Sequence, residues 1–161
     1  MKITLPDSHV EIEIKTVPPF MVNMLIEAVH PEPQAPIIKI KSVAGHEEDF
    51  SNTQDEAYQR KRAEWERKRL ALQTDLMLAH GVSVAMPESD EWAAPLNGTE
   101  ISLVNPPKPF TVKQWRKLLY LRCVAFQSMA DYRVCTELLY GAAYPDEERI
   151  TSIVNSFRNQ L

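Results

Sequence analysis

Apolar and polar residues alternate along the start of the chain. Ile3 and Leu5, then Val10, Ile12 and Ile14, stand on either side of Pro6-Asp7-Ser8-His9. Period-two alternation broken by turn formers predicts a β-hairpin with one buried face. Thr16-Val17-Pro18-Pro19 ends it, and Pro19 suits the first turn of a helix, where its missing N–H has no partner to lose. The stretch from Phe20 to Val29 reads FMVNMLIEAV, with only Asn23 and Glu27 polar, and Pro31 and Pro33 stop it. A helix apolar almost all round is either buried or meets a partner. Met21 and Met24 are flexible and polarizable, the side chains that suit a surface accepting several shapes. Both readings stay open for Phe20, Met21, Met24 and Leu25.

Pro31 to Pro36 is a stiff connector close to polyproline II. Ile37, Ile38, Ile40 and Val43, with Lys39 and Lys41, predict a strand added to the N-terminal hairpin. Gly45-His46-Glu47-Glu48-Asp49 reads as a turn followed by acidic residues. One histidine beside carboxylates invites a metal, but consecutive residues cannot all converge on one ion.

The chain is organised around Thr53 to His80, TQDEAYQRKRAEWERKRLALQTDLMLAH, which predicts one long helix. Thr53 and Glu56 match a capping box, and Gly81 follows as a helix-ending residue. Tyr58, Trp65, Leu72, Leu76 and Ala79 fall in a sector about 60° wide at roughly 100° per residue. Leu70 to Ala79 is apolar nearly all round and predicts burial; the first half is a charged rod with one aromatic seam. The cations between Arg60 and Arg69 raise nucleic-acid binding. Against it, Glu56–Arg60 and Glu64–Lys68 sit at i, i+4 in the favourable order, long cationic stems cover apolar flanks, and the net charge of −4 opposes phosphate.

Val82 to Met86 predicts a short strand. Pro87 to Gly98 is an acidic loop whose Trp92 either anchors a partner or closes the core. Ile101 and Leu103 suggest another strand. Thr111 and Gln114 form a second capping box, opening a helix with a core face of Val112, Trp115, Leu118, Leu119 and Phe126. Ser128 caps the next, with Val134, Cys135, Leu138 and Leu139 inward. Pro145 opens a last helix, where Ile150, Ile153, Val154, Phe157 and Leu161 keep helical spacing.

At 161 residues, 44% hydrophobic and 25% charged, a single globular domain is expected over 1–161, in parts at 1–45, 53–80 and 111–161. It is an α+β fold, mainly helical: a small N-terminal antiparallel sheet, one long central helix, and C-terminal helices packed as a small bundle. No apolar run is long enough to span a bilayer. With no signal peptide in view, Cys123 and Cys135 read as reduced core thiols of a cytosolic protein. His9, His30, His46 and His80 are scattered with no nucleophile at a motif distance, and four glycines leave no phosphate-cradling loop. No cofactor is implied, and an enzyme is not the expectation.

The order of elements resembles that of the tail assembly chaperones of long-tailed, siphovirus-type bacteriophages. The hairpin KITLPDSHVEIEIKTVPPF, the apolar helix, the spacer PEPQAP and a strand precede the long helix ending DLMLAHGV, the acidic DEW loop and the closing SFR. The resemblance implies a non-enzymatic protein of the infected cell's cytoplasm. Its partners would be the tape measure protein and major tail (tube) protein, with homo-oligomers and no membrane. Phe20, Met21, Met24, Leu25, Trp65 and Trp92 are the candidate partner contacts. A virion structural or head–tail joining protein, and more distantly a nucleic-acid regulator, are the alternatives.

Overall fold

The N-terminal alternation becomes two antiparallel strands, β1 (Lys2–Thr4) and β2 (Glu11–Ile14), with Ile3 opposite Ile12 and Lys2 opposite Glu13. Leu5, Ile12 and Ile14 are buried, while Lys2, Thr4 and Glu11 face water. The chain is α+β and mainly helical; the computed structural model describes residues 1–143. The predicted last helix, from Pro145 to Leu161, lies outside the described residues.

The third strand of this sheet is not the Ile37–Val43 segment. It is β5 (Val82–Val84), antiparallel to β2, with Ile12 opposite Val84 and Ile14 opposite Val82. Ile37–Lys41 instead forms β3 and pairs with β4 (Glu47–Ser51) as a separate two-stranded sheet. A three-residue turn joins them. Ser42 N–H donates to His46 O at 2.8 Å, and Gly45 takes φ +83°, the left-handed position such loops need. The acidic residues that follow the predicted turn, Glu47–Asp49, are part of β4, their carboxylates alternating between two faces.

Between β2 and β3 in the chain comes the predicted apolar helix, α1 (Pro19–Val29), with proline in its first turn. Val22 and Ile26 point into the core; burying each contributes about 1.5–3 kcal/mol.

The central helix α2 spans Glu56–Gly81, and its cap is Asp55 rather than Thr53. The Asp55 carboxylate accepts the Tyr58 N–H at 2.8 Å. Along α2 burial is graded: Leu76 to Ala79 are buried, Trp65 and Leu72 half-buried, and Leu70 is exposed. The projecting first half carries the anticipated pairs, Arg60–Glu56 at 3.3 Å and Lys68–Glu64 at 2.7 Å. Exposed pairs of this kind contribute only a few tenths of a kcal/mol. Tyr58 alone is buried there, beneath the proline connector whose Glu32 also meets Arg62 at 3.6 Å.

Gly81 does not terminate α2 by a left-handed turn. Its role is close approach. A Cβ there would lie 2.5 Å from Leu139 Cδ2, 2.7 Å from Val17 Cγ2 and 3.1 Å from Lys15 O. Lys15 N–H also donates to Gly81 O at 2.8 Å, so the β2–β5 ladder runs straight into the helix end.

Past β5, a 3₁₀ turn (Glu91–Leu96) replaces the predicted loop, and Ile101–Leu103 is not a strand. Ser102 bends the chain there: its hydroxyl accepts from Val104 and Asn105 N–H, and its carbonyl from Trp115 Nε1. The Thr111–Gln114 capping box forms as predicted and opens α3 (Val112–Tyr120), which continues into a π-helical turn, Leu121–Ala125. Val112 is exposed rather than part of the core face. In α4 (Met129–Ala143), Cys135 and Leu139 are buried and Val134 and Leu138 half-buried. Cys123 is exposed, not a core thiol.

Asp131 ties the two ends of the described chain together. It is fully buried, and its carboxylate accepts backbone N–H groups of Asp7 at 2.9 Å, Gln127 at 3.1 Å and Ser8 at 3.2 Å. Burial pushes its pKa up, but those hydrogen bonds together outweigh burial and hold it below the ordinary carboxylate range.

Three substitutions test this packing. Gly81→Ala should destabilise by about 1–3 kcal/mol in urea unfolding, as overpacking does. Gly141→Ala in α4, whose added methyl meets nothing within 4 Å among the described residues, should be neutral or stabilising by up to about 1 kcal/mol. For Asp131 the folded pKa lies below the unfolded one, so its stabilisation is present above the unfolded pKa, about 4, and fades as pH falls through the folded value. Asp131→Asn should therefore melt well below wild type at pH 7, with the gap narrowing at acid pH. A gap independent of pH would show that the carboxylate charge is not what the loop uses.

Candidate functional site

A helix apolar all round must leave something uncovered when only one side meets a core. On α1, Val22 and Ile26 are buried, and Met21 and Leu25 are half-buried against the core. Phe20 and Met24 are 76% and 55% exposed. They stand four residues apart, so they adjoin on one stripe of the helix. The structure thus splits the sequence candidates: Met21 and Leu25 belong to the packing side, and Phe20 and Met24 form an open apolar stripe.

The tryptophans turn inward. Trp65 is half-buried in a reciprocal clasp with the end of α1. Its Nε1–H donates to His30 O at 3.0 Å, while His30 Nε2 donates to Trp65 O at 3.0 Å, which requires the imidazole proton on Nε2. The two rings stack at 5.8 Å, and the Arg69 guanidinium lies 5.8 Å above the indole. Alongside the clasp runs an open cleft of about 510 Å³, lined by Ala28, Val29, His30, Lys68, Leu72 and Lys108. Trp92 packs edge-on against Tyr120 at 5.3 Å, with its Nε1 buried and lacking an acceptor among the described residues. Both indoles hold elements together.

The reactive side chains are likewise engaged in packing. Gln114, already part of the α3 capping box, places its amide 3.3 Å from His80 Nε2. Burial first, and then the Lys117 charge, hold the His80 pKa below its usual value. The Gln114 oxygen accepts from Thr111 N–H, which leaves its amide N–H to donate to His80 Nε2. Burial, then Lys113 and Lys15, lower the Lys117 pKa, and its ammonium donates to Val82 O. Asp75 is raised by burial, against which its Arg122 ion pair works. Burial pushes the Cys135 thiol up to about 12, far from a thiolate nucleophile. Among the described residues no three His, Cys, Asp or Glu side chains converge as a metal set, and no helix is long and apolar enough to cross a membrane.

Sequence reasoning missed the β3–β4 hairpin. The signal was there: a glycine at the turn, Lys39 and Lys41 in register with Asp49 and Glu47, and Ile38 in register with Phe50.

Compared with known proteins, the chain matches no protein-family model, no curated protein and no solved structure.

The division of α1 is directly measurable. Met24→Asp should change unfolding free energy by no more than about 0.5 kcal/mol, as surface substitutions do. Met21→Asp should cost about 1–3 kcal/mol, because its carboxylate enters a half-buried apolar setting. Equal effects would mean that α1 packs in a different rotation.

Proposed function

We propose that the chain is a non-enzymatic interaction protein, a tail assembly chaperone of a long-tailed bacteriophage that works in the infected cell's cytoplasm. Its clients would be the tape measure protein and the major tail (tube) protein. The observation that carries the reading is the Phe20–Met24 stripe, an apolar surface left open on a helix that the rest of the fold holds firmly. The element order described for the sequence supports the same reading.

The chemistry fits a holding function. A long client with uncovered apolar helix is prone to aggregate, because contiguous apolar surface exposed to water drives association. Phe20 supplies a large apolar contact and Met24 an unbranched one that re-packs against differing side chains. The net charge of −4 keeps the complex soluble while the stripe is occupied. Val22 and Ile26 fix the rotation of α1, so presentation of the stripe needs no rearrangement. Trp65 and Trp92, used inside the fold, are not recognition anchors in this scheme.

A virion structural or head–tail joining component is the second reading, and the β3–β4 hairpin favours it, since open strand edges suit a permanent neighbour. The test is co-expression with the tape measure protein followed by pull-down. Wild type should capture the client, and Phe20→Asp combined with Met24→Asp should abolish capture while circular dichroism and the melting curve stay near wild type. A folded double variant that captures normally would remove the stripe from the mechanism. Abundant copies in purified virions would move the assignment to the structural reading.

A further inference from the structure

Every residue of β3 and β4 is exposed, and two strands alone are marginally stable in water. The sheet consists of these two strands, so its outer edges are unpaired among the described residues. Asn52 N–H donates to Pro36 O and Ser42 N–H to His46 O, which sets the alternation of the ladder. The main-chain groups of Ile38, Ile40 and Phe50 therefore face across the hairpin. Those of Lys39, Lys41, Glu47 and Asp49 face outward. The side chains of these four share one face and divide by strand, both lysines on the β3 edge and both acids on the β4 edge. The other face carries Ile38, Ile40 and Phe50, 41%, 46% and 51% exposed, together with Glu48, which stands opposite Ile40.

We infer that this hairpin is a self-association edge, with β4 of one copy pairing with β3 of the next. A second copy in the same orientation brings its β3 antiparallel to the first copy's β4, because the two strands are antiparallel within each hairpin. Acids then face lysines across the new seam, and on the opposite face Phe50 and Glu48 of one copy adjoin Ile38 and Ile40 of the next. Two-fold pairing, β3 on β3 or β4 on β4, sets lysine against lysine or acid against acid, which is destabilising across strands. Edge lysines are a common guard against strand addition. Here they guard against another β3 and match a β4. Charge thus selects a head-to-tail contact, which does not close at two copies. Edges of five residues cover far less than the roughly 800 Å² per partner of a stable interface, so association is weak and falls with salt. The inference does not depend on which client, if any, α1 holds.

Sedimentation velocity of the full chain over a concentration series at low salt is the test. The weight-average coefficient should rise past that of a dimer with concentration and fall when salt is added. Lys39→Pro removes an outward N–H together with the Lys39 charge and its 3.7 Å pair with Glu47, and leaves the internal ladder intact; it should weaken association about tenfold or more. Lys39→Glu with Lys41→Glu makes both edges acidic, and Glu47→Lys with Asp49→Lys makes both basic. Each should be monomeric alone, and an equimolar mixture should associate. Should these charge variants lose the hairpin, Lys39→Pro still decides. A wild type that stays monomeric overturns the inference, as does assembly that stops at a dimer or ignores Lys39→Pro. A complex with a tail protein formed through the hairpin while the copies stay monomeric overturns it too.

Discussion

Much of this fold depends on how closely the backbone at Gly81 is approached. There the central helix runs directly into β5, and Val17, Leu139 and the Lys15 carbonyl all close on the position a side chain would occupy. Val82 is fully buried one residue later, and Leu76 to Ala79 are buried just before. The contact lets one continuous stretch serve as helix floor and sheet edge. A larger residue would push α4 away or break the Lys15–Gly81 hydrogen bond, and either shift opens the joint between sheet and helices. Interiors packed as densely as crystals leave no slack for that.

From that joint the rest is held by side chains with double duties. Asp131 accepts N–H groups from the N-terminal loop and from the chain ahead of α4, so sheet and last described helix share one anchor. Gln114 closes the α3 cap and reaches His80 on α2. Trp65 and His30 exchange hydrogen bonds that pin the end of α1 to α2. With its end pinned and Val22 and Ile26 buried, α1 cannot roll to hide Phe20 and Met24. Their exposure follows from geometry imposed on the opposite side of the helix.

Local signals were legible in the sequence where the interaction is local. The Thr111–Gln114 box forms, the long helix forms, and the N-terminal alternation becomes the β1–β2 pair. The cap of α2 moved to Asp55, whose carboxylate reaches the Tyr58 N–H. Non-local choices were not legible. Whether β2 takes Ile37–Lys41 or Val82–Val84 as its third strand is decided by where α2 ends, which lies in tertiary packing. The same holds for the candidate site. Phe20 and Met21 are adjacent apolar residues, and composition cannot say which one the core claims; the positions of Val22 and Ile26 against the core decide it. Ile101 and Leu103 looked like a strand until Ser102 took the local backbone N–H groups for its hydroxyl.

The two exposed apolar features differ in kind, and the difference bears on what each is suited to bind. The α1 stripe offers few backbone groups beyond the uncapped first-turn N–H of Phe20, and so suits recognition by shape and apolar area. Under the proposed function, such a surface would tolerate clients with varied side chains. The β3–β4 edges present main-chain donors and acceptors at fixed spacing, with charges of opposite sign on opposite edges. Such an edge accepts only an extended strand of matching register and charge. The proline connector joins the two features in the chain, and Tyr58 is buried at its base.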